Sequence, residues 1–157
     1  MDTVYDSPVT AARSALMARV RGKNTRPELI VRRTLHAMGE RFRLHRADYP
    51  GRPDIVLPRH RLAIFVHGCF WHRHPGCRLS SMPKTRVDFW KDKFATNVAR
   101  DARNVAALQA MGWRVATVWE CETRNPELLA VALEQLVGSG SKRRPPRMPS
   151  PSEEIGR

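Results

Sequence analysis

The sequence predicts an α/β fold in which a mixed central sheet is flanked by helices. Three observations lead to this prediction: segments with helical spacing stand at the beginning, middle and end of the body, strand-like segments alternate with them, and Gly- or Pro-containing turns separate them. The resulting order of helix, strands, helix, strand and helix is typical of an α/β sandwich. The chain has 157 residues, of which 41% are hydrophobic, enough to bury one core and too many for a wholly disordered polycation.

The first predicted helix of the body begins at a capping box. Thr25 and Glu28 have the required spacing, with Pro27 between them, and Gly39 is a natural stop. We also expect a short helical stretch over residues 11–20. We expect a flexible N-terminus over 1–12, a folded domain over 13–137 and a disordered tail over 138–157, because Pro, Gly and Ser dominate that tail.

The remaining elements follow in order along the chain. Strand-like segments cover residues 41–45, 54–57 and 62–66, and Pro58 in the turn between the last two suggests a hairpin. A long loop rich in Gly, Pro, His and Cys then precedes a predicted helix that ends before Gly112. The last two predicted elements are a strand and a closing helix. Their ranges are 68–86 for the loop, 87–111 for the helix, 114–119 for the strand and 126–137 for the closing helix.

The charge of the chain favours a polyanionic partner. There are 28 Lys and Arg against 15 Asp and Glu, which gives a net charge of +13. Five of those basic and two of those acidic residues lie in the tail, so the folded body keeps +10. Nucleic acid is the commonest partner of such a domain, although a merely basic surface is the alternative. We expect no membrane association, because no window approaches the ~18 apolar residues of a spanning helix.

A cluster of cysteine and histidine residues predicts a structural zinc site. Cys69, His74 and Cys77 lie within nine residues, and Cys121 follows a predicted strand as the third and last cysteine of the chain. Zinc takes four such ligands in a tetrahedron. The alternative is that these are ordinary buried cysteines, since the spacing is not that of a standard zinc finger.

Several carboxylates and histidines are candidates for the chemistry of a site. Asp54 follows a Pro-Gly-Arg-Pro turn at the start of a strand and could hold Mg²⁺, or could be a turn aspartate. Glu28 completes the capping box, yet it lies three residues before Val31 on the inward side of its helix. His67 and His72 flank Cys69, where they could be structural or could carry protons near neutral pH.

Asp101 stands on the predicted apolar stripe of the long helix, between Val98 and Val105. A charge on a buried face is costly unless it is paired, so we expect a cationic or donor partner, such as a histidine of the neighbouring loop. Alternatively, Asp101 turns to the rim or pairs with a structural arginine. The adjacent aromatics Phe70 and Trp71 either insert into a base stack or pack on the core.

Four segments together resemble the very short patch repair DNA mismatch endonucleases. They are PGRPDIV (50–56), IFVHGCFWHRHPGC (64–77), DFWKDKFATNVARD (88–101) and GWRVATVWEC (112–121), and the resemblance extends over residues 14–122. It implies a restriction-endonuclease-like core with a structural zinc loop, so that residues 13–137 form a nuclease domain. The Glu-x-Lys pattern of many restriction-type nucleases is absent here, which fits this family.

The resemblance also implies the roles of individual residues. Asp54 and the backbone carbonyl of Val66 match the family's magnesium ligands, while His72 matches the histidine that activates water and Asp101 the carboxylate that orients it. His67 and Glu28 match supporting residues. The positions that match zinc ligands are Cys69, His74, Cys77 and Cys121. The positions that match aromatics inserted beside the mismatch are Phe70, Trp71 and Trp90.

The function implied by the resemblance is hydrolysis of the phosphodiester 5′ to the thymine of a T·G mismatch, which starts repair of deaminated 5-methylcytosine. Mg²⁺ is the expected catalytic cofactor and Zn²⁺ the structural one. We expect a monomer in the bacterial cytoplasm that is associated with the nucleoid. Its expected partners are double-stranded DNA and the mismatch-repair machinery. Two alternatives are a restriction-like nuclease that cuts matched DNA and a zinc-stabilised DNA-binding module without catalysis.

Overall fold

A mixed four-stranded sheet forms the centre of the structure, a computed structural model that describes residues 24–138. Strands β1, β2 and β3 are neighbouring and antiparallel, and β4 pairs with β3 in parallel. The elements in chain order are α1 (Arg26–Ala37), β1 (Arg43–Leu44), β2 (Ile55–Leu57), β3 (Leu62–His67), α2 (Val87–Ala110), β4 (Arg114–Trp119) and α3 (Pro126–Gly138). Because β3 and β4 are parallel, their connection must cross over the sheet, and α2 provides that crossover.

Alternate residues of β2 and β3 pack against helices on opposite sides of the sheet. On one side, Ile55 and Ile64 join a core with residues of α1 and α3. On the other side, Val56 and Phe65 pack with Leu108 of α2. Both strands are therefore buried on both faces, and the predicted arrangement of helices around a mixed sheet is confirmed.

Helix α1 begins and ends where the sequence predicts. The Thr25 hydroxyl accepts a hydrogen bond from the Glu28 amide at 3.4 Å, and the Glu28 carboxylate accepts one from the Thr25 amide at 3.1 Å. The helix ends at Ala37, and Gly39 follows in a left-handed conformation with φ of +80°. The capping box thus fixes the end of α1 that points towards the site described below.

The β2–β3 hairpin brings the two ends of its strands together in a defined register. Leu57 pairs with Leu62 next to the turn, and Ile55 pairs with Ile64. The turn itself is a short 3₁₀ helix, Pro58–His60. As a result, Asp54 just before β2 lies beside the C-terminal end of β3.

Some predicted boundaries differ from the structure. The segment 41–45 contributes only the two residues of β1, and Gly138 ends helix α3 rather than beginning a tail. The predicted helix over 11–20, the flexible segment 1–12 and the tail from 139 onwards lie outside the described residues. In the part that is described, no helix is both long and apolar enough to cross a membrane.

The predicted apolar stripe of α2 is wrong at one position. Val98 is 46% exposed, while the neighbouring Asn97 is buried. Asp101 lies on the same side of the helix as Asn97 and is half-buried. The inward face therefore carries two polar side chains in successive turns, and both contact the long loop that precedes α2.

Candidate active site

A cleft that is lined by ionisable side chains lies at the end of β3, beside the middle of α2. Its lining residues come from the end of β3, the loop after β3, the middle of α2 and the segment between β1 and β2. Five of its lining residues have ionisable carboxylates or imidazoles: His45, Asp54, His67, His72 and Asp101. They form two groups, one around Asp54 and the other around His72, and both groups face the same cleft.

Asp54 is held at the edge of the hairpin by the backbone of β3. Its Oδ2 accepts a hydrogen bond from the Val66 amide at 2.7 Å. Burial and, after it, the neighbouring Glu28 together raise the pKa of Asp54 to about 8, against the lowering effects of the Val66 amide and the Arg32 charge. Without a cation, two adjacent buried carboxylates repel each other, so this environment favours the binding of a positive ion.

Glu28 is almost completely buried, with 1% of its surface exposed, although its side chain ends in a carboxyl group. Its Oε2 accepts the Thr25 amide of the capping box and lies 3.5 Å from Nη2 of Arg32. Its Oε1 lies 3.6 Å from Nε2 of His45 and has no hydrogen-bond partner within the described residues. The capping role and the site role predicted for Glu28 are thus compatible, because each uses a different oxygen.

His72 and Asp101 form a close pair across the cleft. The distance between His72 Nδ1 and Asp101 Oδ2 is 2.6 Å. If Nδ1 donates its proton to this carboxylate, Nε2 of His72 is left free to accept one. The partner of Asp101 is therefore a histidine of the loop, as expected. The other oxygen of Asp101, Oδ1, lies 3.9 Å from the Arg100 guanidinium.

His67 stacks on the ring of His72. The ring centres are 3.8 Å apart and the planes are nearly parallel, at 7°. Burial and the charge of His72 lower the pKa of His67 to about 4, against the smaller raising effect of Asp101. His67 is consequently neutral at neutral pH and provides a flat surface against which the His72 ring is oriented.

The four residues of the predicted zinc group come together at the start of the loop after β3. The ligand atoms of Cys69, His74, Cys77 and Cys121 all lie within 4.8 Å of one another. Nδ1 of His74 is 3.7 Å from the Cys69 sulfur and 3.4 Å from the Cys121 sulfur. Burial raises the pKa of the Cys69 thiol to about 12, and a bound cation is what reverses such a shift. This Cys₃His set could hold a metal ion.

The three predicted inserting aromatics form one cluster beside the cleft. Phe70 contacts Trp71 and Trp90 with ring centres 5.3 and 5.7 Å apart, and it also packs edge-on against Phe94 of α2. All but Phe94 remain partly exposed. The side-chain amide of Asn97 donates to the Trp71 carbonyl at 3.2 Å and ties the cluster to the helix.

Two polar residues of this region were missed by the sequence reasoning. Asn97 could have been found by shifting the apolar stripe of α2 by one residue, since a position next to Val98 fits the helical period equally well. His45 leaves no such signal, because its place beside Glu28 depends on the pairing of β1 with β2.

Comparison with known proteins gives consistent matches. The profile of the family described as DNA mismatch endonuclease Vsr matches residues 4–78. A type II nicking enzyme of Xanthomonas oryzae pv. oryzae, V.XorIIP, is 56% identical over 125 residues, which cover 80% of this chain and 91% of that protein. The DNA mismatch endonuclease Vsr of Escherichia coli is 44% identical over 129 residues, which cover 82% of this chain and 80% of that protein.

Among solved structures, the catalytic domain of the homing endonuclease I-Bth0305I is similar to this chain. The TM-score is 0.54 at 20% sequence identity, and the match covers 75% of this chain and 99% of that domain. At this identity the similarity concerns the fold alone. It confirms the expected restriction-endonuclease-like core.

Proposed function

Because the chain belongs to the Vsr family of DNA mismatch endonucleases, we propose that it cuts one strand of duplex DNA 5′ to the thymine of a T·G mismatch. Such cutting would start very short patch repair of deaminated 5-methylcytosine. The observation that supports this function best is the single cleft that unites Asp54 with the His72–Asp101 pair. The similarity to endonucleases also favours catalysis over the alternative of a DNA-binding module without activity.

His72 is the group that we expect to activate water. Its Nδ1 is engaged by Asp101 at 2.6 Å, so Nε2 is the nitrogen that takes the proton of the attacking water. Asp101 selects this tautomer and stabilises the imidazolium that forms. Stacking on the neutral His67 limits rotation of the His72 ring without placing a second positive charge beside it.

Asp54, the Val66 carbonyl and Glu28 are the groups proposed to hold magnesium and its water. The donor set fits, because Mg²⁺ prefers oxygen ligands and commonly uses only one or two protein carboxylates. Among the described residues the buried Oε1 of Glu28 has no hydrogen-bond partner, and the pKa of Asp54 is raised; both observations support the binding of a positive ion by these carboxylates. When bound, Mg²⁺ neutralises the phosphate and stabilises the charge that develops during hydrolysis.

Zinc is the metal proposed for the Cys₃His group, since thiolate and imidazole ligands are those it prefers. The segment between Cys69 and His74 contains Phe70, Trp71 and His72. Closing the loop at both ends with one metal would therefore fix the aromatic cluster and the water-activating histidine together. We infer that the role of zinc is structural and that it acts on catalysis through His72.

Selection of the mismatch is proposed to depend on Phe70, Trp71 and Trp90. Their partly exposed rings contact one another and form an apolar edge beside the cleft, which suits an inserting wedge. A T·G wobble pair stacks less well than a matched pair, so that opening the step beside it costs less. The basic body would supply the salt-sensitive affinity for phosphates. We propose that the protein acts as a monomer at the bacterial nucleoid, since the described residues of one chain bring Asp54, His72 and Asp101 into the same cleft.

A nicking assay on a T·G duplex and on its matched T·A control tests this function. We expect one nick, 5′ to the thymine, only in the T·G duplex and only with Mg²⁺ added. Asp54→Ala and His72→Ala should lose activity, whereas Asp92→Ala, an exposed acidic residue of α2, should keep it. Equal rates on both duplexes would contradict mismatch specificity and favour a restriction-like nuclease.

A further inference from the structure

His45 lines the cleft, yet the proposed mechanism leaves it without a role. It follows β1 with a φ of +46°, a left-handed conformation that few residues other than glycine adopt. Its amide donates to the carbonyl of Asp54 at 3.3 Å, which holds this conformation next to the hairpin. The backbone thus directs the His45 imidazole towards Glu28 and Arg32 of α1 rather than along the strand.

The contact between Arg32 and His45 is a hydrogen bond with a defined direction. Nη2 of Arg32 lies 2.8 Å from Nε2 of His45, and Nη1 donates to the Asn24 side chain at 2.9 Å. A guanidinium group has donors only, so Nε2 of His45 must be the acceptor. This hydrogen bond holds the guanidinium of Arg32 in a position from which it approaches Glu28 through Nη2 alone.

Two buried polar atoms in this group have no partner among the described residues. They are Oε1 of Glu28 and Nε of Arg32, which stand one helical turn apart on α1. A bidentate ion pair between the Arg32 guanidinium and the Glu28 carboxylate would give both atoms a hydrogen-bond partner. It is also the strongest arrangement available to these two groups. Instead Arg32 approaches Glu28 only at Oε2, at 3.5 Å, while the hydrogen bond from Nη2 to His45 sets the orientation of the guanidinium.

We propose that His45 is a positioning residue that prevents Arg32 from pairing fully with Glu28 and so keeps Oε1 of Glu28 available to the divalent cation and its water. This inference rests on the proposed metal-dependent function. Removal of the acceptor on His45 would release Nη2, and Arg32 would then compete with the cation for the carboxylates. Removal of this acceptor would therefore weaken the affinity for the divalent cation and would not slow the chemical step.

The test is the Mg²⁺ dependence of T·G nicking by His45 variants of the full chain. For His45→Ala we expect the Mg²⁺ concentration at half-maximal rate to rise about tenfold or more, the scale of one hydrogen bond to a charged group, with a similar rate at saturation. His45→Gln should restore the wild-type value, because an amide oxygen also accepts from Arg32. His45→Phe lacks the acceptor, keeps the ring volume and should behave like His45→Ala if the latter does not fold.

A measurement independent of activity is the binding of Mn²⁺, followed by electron paramagnetic resonance on the protein bound to a matched duplex. Mn²⁺ binding should weaken in His45→Ala and recover in His45→Ala/Arg32→Met, where the competitor is gone. His36→Ala, at the other end of α1, is the control and should change neither readout.

Each contrary result has a separate meaning. Unchanged metal dependence in both His45→Ala and His45→Phe would overturn the inference and leave the proposed function intact. If His45→Gln does not restore metal binding, the inference would also be overturned. His45 would then have to act as a direct metal ligand or as a proton carrier, and not as an acceptor for Arg32. Nicking by the wild type without any divalent cation would instead refute the proposed function and this inference with it.

Discussion

Replacement of Asp54 by asparagine should stabilise the metal-free protein while it abolishes nicking. In the folded state the pKa of Asp54 is raised from 3.8 to about 8 by burial and by Glu28. The folded protein therefore retains a proton that the unfolded chain loses near pH 4. Folding stability contributed by this group is lost as pH rises from about 4 to 8, in line with the linkage between proton binding and stability.

The expected gain in folding stability of Asp54→Asn follows from the shift in the pKa of Asp54. One pKa unit corresponds to about 1.4 kcal/mol, so the interval from pH 5 to pH 8 accounts for at most ~4 kcal/mol. Water and neighbouring dipoles that adapt around a charge in an open cleft reduce this value, and we expect about 1–3 kcal/mol. Asparagine avoids the cost because it is uncharged, and its side-chain oxygen can still accept the Val66 amide.

The assay is urea unfolding of the wild type and of Asp54→Asn at pH 5 and pH 8, without added Mg²⁺. The lowered pKa of His67 destabilises both proteins as pH falls, so its contribution cancels in the difference between them. The stability advantage of the variant should be small at pH 5 and larger at pH 8. An advantage that is the same at both pH values, or absent at pH 8, would refute the electrostatic argument.

Three further predictions concern other parts of the site. Asp101→Asn should lower the nicking rate by about 10²- to 10⁴-fold without loss of zinc, because its histidine partner loses its orientation and charge support; an unchanged rate would contradict the pairing role. Wild-type protein should contain about one zinc per chain by elemental analysis, and Cys121→Ser should lose zinc and melt at a lower temperature; full zinc content would show the ligand assignment to be wrong. Gly51→Ala should destabilise the fold by about 1–3 kcal/mol, since φ is +74° and the new Cβ would lie 2.7 Å from the Asn104 side chain. Gly39→Ala is its control in thermal unfolding, because it shares the positive φ but meets no neighbour within 4 Å, and an equal loss in both would exclude the contact as the cause.

Local chemistry explains why parts of the fold and of the site could be predicted. The capping box at Thr25 and Glu28 is a contact between near neighbours, so the sequence contains both partners. A charge such as Asp101 on an inward helical face must have a partner, and the nearby loop offers histidines. In both cases the physical requirement arises within one element, where residue spacing gives distance directly.

The place of His45 depends instead on information that spacing does not contain. It lies 17 residues from Glu28 along the sequence, and the two meet only because β1 pairs with β2 in one register and the chain then turns left-handed. The error at Val98 has a related cause. A stripe on a long helix drifts with small changes in twist, and the contacts of Asn97 with the loop decide which residue is buried.

The contacts of α2 with the loop offer a connection between the proposed recognition of the mismatch and the proposed chemistry. Asn97 and Asp101 lie one turn apart on α2, and they hold the adjacent loop residues Trp71, through its carbonyl, and His72, through its ring. Trp71 and His72 are consecutive, and both lie between Cys69 and His74, two of the proposed zinc ligands, so a displacement of one would also move the other. A wedge that fails to enter a well-stacked matched step would leave the loop displaced and the imidazole away from Asp101. Selectivity would then appear in the rate of cutting as well as in affinity, as expected when binding energy is used to orient the reacting groups.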